Sequence, residues 1–182
     1  MTTALNTGTM LNDRFLKLEP MTRELFHELF RGFQYDPCMF MDKELYERCR
    51  KTPYSREATD ARYDNRLARK DSATFAVMLD EAVIGEVVLK HIDHEKKQCE
   101  LGIHLINDSV KSKGYGTKAE KLAIERAFSE LELNTVLADC IINNTRSRQI
   151  IEKLGFDFIE EKDGFRYYKL EKEKYYADRN NR

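Results

Sequence analysis

Residues 111–117 carry two closely spaced glycines, Gly114 and Gly116, between a strand-like run and a helix-like run. Glycine adopts backbone angles that other residues resist, so the chain can turn sharply here and a ligand can approach the backbone closely. The helix that follows has unpaired N–H groups and a partial positive charge at its first turn. Lys111 and Lys113 add full positive charge. The segment therefore predicts a strand–turn–helix unit whose turn binds a phosphate group of a small molecule.

Apolar periodicity around this turn predicts strands and helices in a definite order. Strand patterns occur at 14–18, 73–79, 83–91, 99–106, 135–142, 156–160 and 165–170. One helix pattern follows a capping Thr22, and two others cover 43–51 and 56–70. A fourth extends from the glycine turn to 130, and the last covers 147–154.

The helix after the glycine turn connects strand 99–106 to strand 135–142, so these two strands should be parallel, with a right-handed crossover. Short turns join the strands of the 73–106 meander and of the last hairpin, which favours antiparallel pairing there. We therefore expect a mixed α/β or α+β domain with a partly antiparallel sheet. A ligand should lie beyond the carboxyl ends of the parallel pair.

Composition limits the class of protein. The chain has 182 residues, of which 41% are hydrophobic and 35% charged, as expected for one soluble globular domain. Its net charge of −1 argues against a surface built for nucleic acid. No apolar run has the length of a membrane span, and the N-terminus lacks a signal-peptide pattern. We expect a cytoplasmic protein without a membrane or nucleic-acid partner.

The cysteines and histidines do not predict a metal site. Cys38, Cys49, Cys99 and Cys140 are not in C-x-x-C spacing, and the four histidines show no ligand spacing such as H-E-x-x-H. Cys99 and Cys140 stand in apolar strand patterns, where a free cysteine is most often a small core residue. We therefore expect no bound metal.

Three motifs together resemble the GNAT family of acetyl-CoA-dependent N-acetyltransferases, and most closely the branch that acetylates ribosomal-protein N-termini and similar amines. Residues 111–119, KSKGYGTKA, are similar to the pyrophosphate motif Q/R-x-x-G-x-G/A, with Lys111 in place of Gln or Arg. Residues 100–103, ELGI, resemble E-L/I-G-Y/F on the preceding strand. Residues 144–147, NTRS, followed by 152–156, EKLGF, resemble N-x-x-S and E-K-L-G-F.

This resemblance implies one GNAT domain over 1–182, with a mostly antiparallel twisted sheet, one parallel strand pair that splays apart, and flanking helices. It covers 73–170 well and makes that segment the acetyl-CoA-binding core. Segment 13–72 corresponds to the acceptor side, 1–12 would be a loose N-terminus, and 171–182 would be a C-terminal tail.

The resemblance also implies a set of acetyl-CoA contacts. Backbone N–H groups of the glycine turn would hold the pyrophosphate, strand 99–106 would bond to the pantetheine arm at its end, and the start of helix 147–154 would contact the arm. The residues concerned are Leu105, Ile106, Lys111, Lys113, Gly114, Tyr115, Gly116, Thr117, Asn144 and Ser147. The alternative for the turn is an ordinary glycine-rich helix start, and for Asn144 and Ser147 it is helix capping alone.

Catalysis needs a group that deprotonates the amine and a group that protonates the departing thiolate. Glu100 is the candidate general base, and the alternative is a strand glutamate that faces solvent or pairs with a lysine. Many family members place a tyrosine in the short helix as general acid, but 147–154 contains none. Tyr167, Tyr168, Ser147 and water remain as proton sources.

The resemblance implies an N-acetyltransferase that moves acetyl from acetyl-CoA to a primary amine by direct attack in a ternary complex. One alternative is a GNAT-fold module that binds acyl-CoA without turnover. Another is a dinucleotide-dependent oxidoreductase, because Gly114-x-Gly116-x-x-Ala119 also matches G-x-G-x-x-G/A, with Asp139 at a tolerable distance. The acceptor stays open among polyamines, peptide N-termini, aminoglycosides and amino acids, and a homodimer is the default assembly.

Overall fold

Eight strands form one sheet in the computed structural model, which describes residues 9–11 and 14–180. The strands are β1 (Thr9–Leu11), β2 (Arg14–Pro20), β3 (Ala73–Leu79), β4 (Ala82–Asp93), β5 (Gln98–Leu105), β6 (Thr135–Ile141), β7 (Asp157–Lys162) and β8 (Phe165–Glu171). The helices are α1 (Arg23–Gly32), α2 (Lys43–Lys51), α3 (Arg56–Leu67), α4 (Tyr115–Ser129), α5 (Thr145–Lys153) and α6 (Lys172–Asn180). A short 3₁₀ helix covers Pro37–Met39.

The sheet order is β1-β2-β3-β4-β5-β6-β8-β7, and β5–β6 is the parallel pair among the described strands. The other neighbouring pairs are antiparallel. The prediction of a mixed, mostly antiparallel sheet with one parallel pair across the glycine-turn helix is therefore confirmed. A dinucleotide-binding fold needs consecutive parallel βαβ units. This sheet order contradicts that alternative.

The predicted strands and helices are present, with small differences at their ends. Two elements of the structure were missed: β1, which pairs with β2, and α6, which continues from β8 where a tail was expected. The prediction of a loose N-terminus otherwise concerns residues 1–8 and 12, which lie outside the described residues.

Side chains just before the helices explain where several of them begin. Thr22 Oγ1 accepts a hydrogen bond from Leu25 N at 3.2 Å, which confirms the predicted cap of α1. Asp42 and Ser55 cap α2 and α3 in the same way. Each cap satisfies a backbone donor that the first helical turn leaves unpaired. No helix in the described part of the chain combines the length and apolar character of a membrane span.

Helices cover both faces of the sheet. On one face the main core packs α4 residues such as Ile124 and Phe128 against the sheet, and the predicted core cysteines Cys99 and Cys140 are buried there. On the other face, Leu29 of α1 packs with β3 and β4 in a second cluster. Side chains at the centre of the sheet therefore point toward α4 or toward the α1–α3 side, in alternation along each strand.

Candidate active site

A notch opens in the sheet between β5 and β6. The two strands pair from Gln98–Thr135 to Leu101–Ala138, although both continue beyond that point. Two cavities of about 340 and 240 Å³ adjoin there. The residues that line both are Cys38, Met39, Ile103, His104, Glu120, Asn144 and Ser147. The cavities thus form one groove from the α3 side to the start of α4.

The end of β5 offers backbone groups to this groove. Ile106 N donates to Ile84 O at 2.8 Å, and antiparallel ladders alternate, so the backbones of Ile103 and Leu105 turn toward β6. Since the pairing with β6 has already ended, these groups face the notch. Ile106 differs from Leu105, because its N–H is used in this ladder and its C=O accepts from Gln34 N at 2.8 Å. Ile103, which the sequence did not single out, presents its backbone to the notch together with Leu105.

The glycine turn presents its amides at the far end of the groove. Gly114 is the N-cap of α4 with φ of 84°, and within the described part of the chain no side chain caps this helix. The first intrahelical bond runs from Lys118 N to Gly114 O, so the amides of Tyr115, Gly116 and Thr117 precede the helical ladder. Gly116 lines the smaller cavity. Oriented amides at a helix N-terminus favour an anion such as a phosphate.

The lysines of the turn lie in different surroundings. Lys113 is exposed. The Lys111 ammonium lies 2.8 Å from Asp36 and 3.0 Å from Asp108, and its side chain is 13% exposed. Burial opposes its charge, but the hydrogen bonds to Asp36 and Asp108 outweigh burial and raise the pKa of Lys111. Lys111 therefore ties the 3₁₀ segment to the turn, and Arg146 Nη1 contacts the same Asp36 carboxylate at 3.4 Å.

Asn144 and Ser147 lie at the other wall of the groove. Asn144 Oδ1 accepts from Ser147 N at 3.1 Å, so Asn144 is the N-cap of α5. Both residues also line both cavities, and Ser147 lies in the first turn of α5. Capping therefore holds the two polar side chains at the notch, where they can contact a bound ligand.

Glu100 lies beside the notch and pairs with Lys90 across β4–β5. Its side chain is 24% exposed. Asp139 of β6 lines the larger cavity. Burial, followed by a hydrogen bond with Glu100, raises the pKa of Asp139 to about 6. Asp139, the member of this carboxyl pair that reaches the cavity, therefore keeps its proton to a higher pH than an ordinary aspartate does.

The candidate tyrosines point to opposite faces of β8, as predicted. Tyr168 is 1% exposed within the main core, and its hydroxyl lies 3.4 Å from Glu152 Oε1. Tyr167 is opposite Asp139 in the β6–β8 register and so shares that face of the sheet. The side chains that line the two cavities come from other residues.

A buried polar cluster on the α3 side was missed from the sequence. Glu86 of β4 is 1% exposed, and the two terminal guanidinium nitrogens of Arg66 donate to its carboxylate. His104 Nδ1 lies 3.3 Å from Glu86 Oε1, and the imidazole lines both cavities. A glutamate within the apolar run 82–89 was the available signal, because a charge is buried only when it is paired.

Glu120 of α4 was also missed. It is 5% exposed and lines both cavities, and its Oε2 atom has no hydrogen-bond partner among the described residues. Burial raises its pKa to about 8. The sequence signal was a glutamate beside Ala119 and Ala123, on the apolar face of the helix. As for metals, no group of three or more His, Cys, Asp or Glu residues in the described structure is placed to hold an ion.

Comparison with known proteins agrees with the geometry of the groove. The family profile described as an acetyltransferase (GNAT) domain matches residues 16–157. "Putative ribosomal N-acetyltransferase YdaF" of Bacillus subtilis is 32% identical over 80 residues, which are 44% of this chain and 43% of that protein. Spermidine N(1)-acetyltransferase of Escherichia coli K12 is 31% identical over 94 residues, 52% of this chain and 50% of that protein. The chain spans about half the length of these curated relatives.

A solved structure extends the likeness over the whole fold. Campylobacter jejuni N-acetyltransferase PseH in complex with acetyl coenzyme A is 25% identical, with a TM-score of 0.61. The match covers 86% of this chain and 99% of that chain. The profile match includes the glycine turn, the parallel pair and helices α1–α3. The predicted family is thus confirmed, and the chain belongs to the GNAT family of acetyltransferases.

Proposed function

We propose that this protein is an acetyl-CoA-dependent N-acetyltransferase that acetylates a primary amine by direct attack in a ternary complex. The observation that carries the proposal is the groove through the β5–β6 notch. One end meets the free amides of α4, and the other is walled by residues of the α3 side, including Arg66 and Arg69. A thioester in the notch can therefore meet an amine that enters from the opposite side.

The acetyl-CoA contacts follow from the polar groups along the groove. The amides of Tyr115, Gly116 and Thr117 would bind the pyrophosphate, as charge-assisted bonds to oriented donors favour. The backbones of Ile103 and Leu105 would bond to the pantetheine arm and polarise the thioester carbonyl. The acetyl-CoA complex of PseH supports this assignment by likeness of fold.

The chemical step needs a neutral amine. Its nitrogen attacks the thioester carbon, the C–S bond breaks, and one amine proton passes to a base. Glu100 remains the proposed base and would act together with Asp139, which lines the cavity and holds a raised pKa of about 6. Because its pKa is raised, Asp139 binds a proton more strongly at neutral pH than an ordinary aspartate would.

His104 is a second candidate for that proton. Its imidazole lines both cavities, while the Glu86 carboxylate fixes its Nδ1 side. A carboxylate partner favours Nδ1–H and leaves Nε2 as an acceptor. The position of His104 in the groove, compared with Glu100 beside it, is the observation that favours this candidate.

The charges on the acceptor side bear on the amine. On α1–α3, the acidic residues Glu47, Asp60 and Asp64 are paired with arginine side chains, as Asp60 is with Arg23. The larger cavity presents Arg69 at its wall, together with Arg66 on its Glu86 partner, and the carboxyl groups that line it are those of Asp139 and Glu120. We therefore expect an amine that also carries an anionic group, such as an amino acid or an acidic peptide N-terminus, to be a better acceptor than spermidine.

A thiol-release assay tests the function. Acetyl-CoA is incubated with the protein and a panel of amino acids, N-terminal peptides, aminoglycosides and spermidine, and free coenzyme A is measured. Turnover with at least one amine is expected. Tight acetyl-CoA binding without thiol release would favour the non-catalytic acyl-CoA-binding alternative, and the absence of both binding and release would refute the proposal.

The same assay separates the two candidate bases. Glu100→Gln and His104→Gln are compared with His91→Gln, a control on an exposed histidine of the adjacent strand. The variant of the true base should lose turnover by about 100-fold while keeping its acetyl-CoA affinity. Turnover of Glu100→Gln that equals the wild type would remove Glu100 from the mechanism.

A further inference from the structure

Glu120 is a buried acid that the fold does not use. It is 5% exposed, and its Oε2 atom makes no hydrogen bond within the described structure. A buried polar group without a partner destabilises a protein, so its presence calls for an explanation. The carboxyl lines both cavities of the groove. A ligand in the groove could supply the missing partner.

The position of Glu120 along α4 relates it to the bound thioester. It follows Gly116 by four residues, so the two lie on the same helix face about 6 Å apart along the axis. Gly116 lines the smaller cavity, whereas Glu120 lines both cavities and therefore lies toward the larger one. Across the groove stand His104 of β5 and Ser147 of α5. Glu120 is therefore at the level of the notch where the arm of acetyl-CoA would end.

We propose that Glu120 is the general acid of acetyl transfer and donates its carboxyl proton to the sulfur of coenzyme A as the thioester C–S bond breaks. This inference rests on the proposed function. The amine nitrogen forms the new C–N bond, the C–S electron pair stays on sulfur, and sulfur takes the Glu120 proton. The amine proton leaves through the base, and solvent returns a proton to Glu120 after the products leave.

The protonation state suits this role. Burial raises the pKa of Glu120 to about 8, so the side chain is a neutral carboxylic acid at pH 7. Free thiols have pKa values of about 8.5, so the proton transfer to a thiolate is nearly balanced. Ser147 is the proton source suggested by the sequence that also lines the groove, and a hydroxyl is a far weaker acid than a carboxyl group.

Other titratable groups face the same groove and can also affect the pH dependence of activity. They come from the 3₁₀ segment and its cap, α3 and the loop after it, β4, β5, β6, the glycine turn and α5: Asp36, Cys38, Arg66, Arg69, Lys90, His104, Lys111, Asp139, Cys140 and Arg146. Among the carboxyl groups in this set, Asp139 lies on β6 and Asp36 is paired with Lys111. Glu120 is distinguished from both by its unpartnered oxygen.

The test compares Glu120→Gln with Glu130→Gln, a control at the exposed end of the same helix. Gln keeps the size and a hydrogen-bond donor but has no acidic proton. We expect a loss of kcat of about 100-fold with acetyl-CoA affinity changed less than about threefold, because only the transition state needs the proton. Thermal unfolding confirms that each variant is folded.

The pH profile supplies a readout that a structural role would not move. Wild-type kcat should fall above about pH 8 as Glu120 ionises, and this limb should be missing from the reduced profile of Glu120→Gln. An unchanged kcat or a retained alkaline limb in this variant overturns the inference while the proposed function stands. Wild-type protein that releases no thiol with any amine overturns both.

Discussion

Nδ1 of His104 lies 3.3 Å from Oε1 of Glu86, and Arg66 binds the same carboxylate through both terminal nitrogens. Three segments far apart in sequence therefore meet at one buried acid, which is 1% exposed. The arrangement fixes one side of the imidazole and leaves the other toward the groove. It also anchors α3 to the sheet at the wall of the larger cavity.

Glu86→Gln should destabilise the protein by about 2–3 kcal/mol, because Arg66 and His104 lose the charge that they bind. Burial alone would raise the pKa of Glu86, but hydrogen bonds from His104 and Arg66 outweigh it and lower the pKa below 4.5. A lowered carboxyl pKa stabilises the fold above pH 4.5, and this contribution is lost as pH falls through the folded pKa. In chemical unfolding, the difference in free energy of unfolding between wild type and Glu86→Gln should therefore become smaller toward pH 3.

Local patterns in the sequence were sufficient for the frame of the site. The strands, the crossover helix and the turn at Gly114 are each determined by residues close together in sequence. The structure contains each of them at the predicted position. The parallel pairing of β5 and β6 followed from the helix between them. These features depend on chain-local chemistry, which a single sequence displays directly.

The contents of the groove could not be predicted in the same way. Glu86 and His104 become neighbours through the β4–β5 register, and Arg66 joins them only when α3 packs on that face. For Glu120, the sequence shows that the residue lies on the apolar face of the helix, but it does not show the cavity that the side chain lines. The hydrogen bonds of Ile106 could not be predicted either, because the ladder alternation depends on the exact register of the β4–β5 pair.

The two glycines of the turn should respond differently to alanine. Gly114 has φ of 84°, so Gly114→Ala strains the backbone by about 1 kcal/mol and should tilt the amides that receive the phosphate. We expect acetyl-CoA affinity to fall at least about tenfold in calorimetric titration. Gly116→Ala is the matched control, since its added methyl would meet Leu105 at 3.7 Å and Ile150 at 3.8 Å, which are ordinary contacts. Equal losses in both variants would contradict the assignment to backbone geometry.

Glu120 should also mark the stability curve of the protein. Its pKa rises from 4.5 to about 8 on folding, so the unfolded chain ionises while the folded chain still holds the proton. Stability linked to this group is fully present below pH 4.5 and is lost as pH rises through about 8. Each pKa unit corresponds to about 1.4 kcal/mol, so the loss amounts to several kcal/mol. Glu120→Gln lacks this titration, and urea unfolding at pH 5, 7 and 8.5 should show the variant gaining on the wild type as pH rises. A stability difference that stays constant across the three pH values would mean that Glu120 already carries its charge in the folded protein.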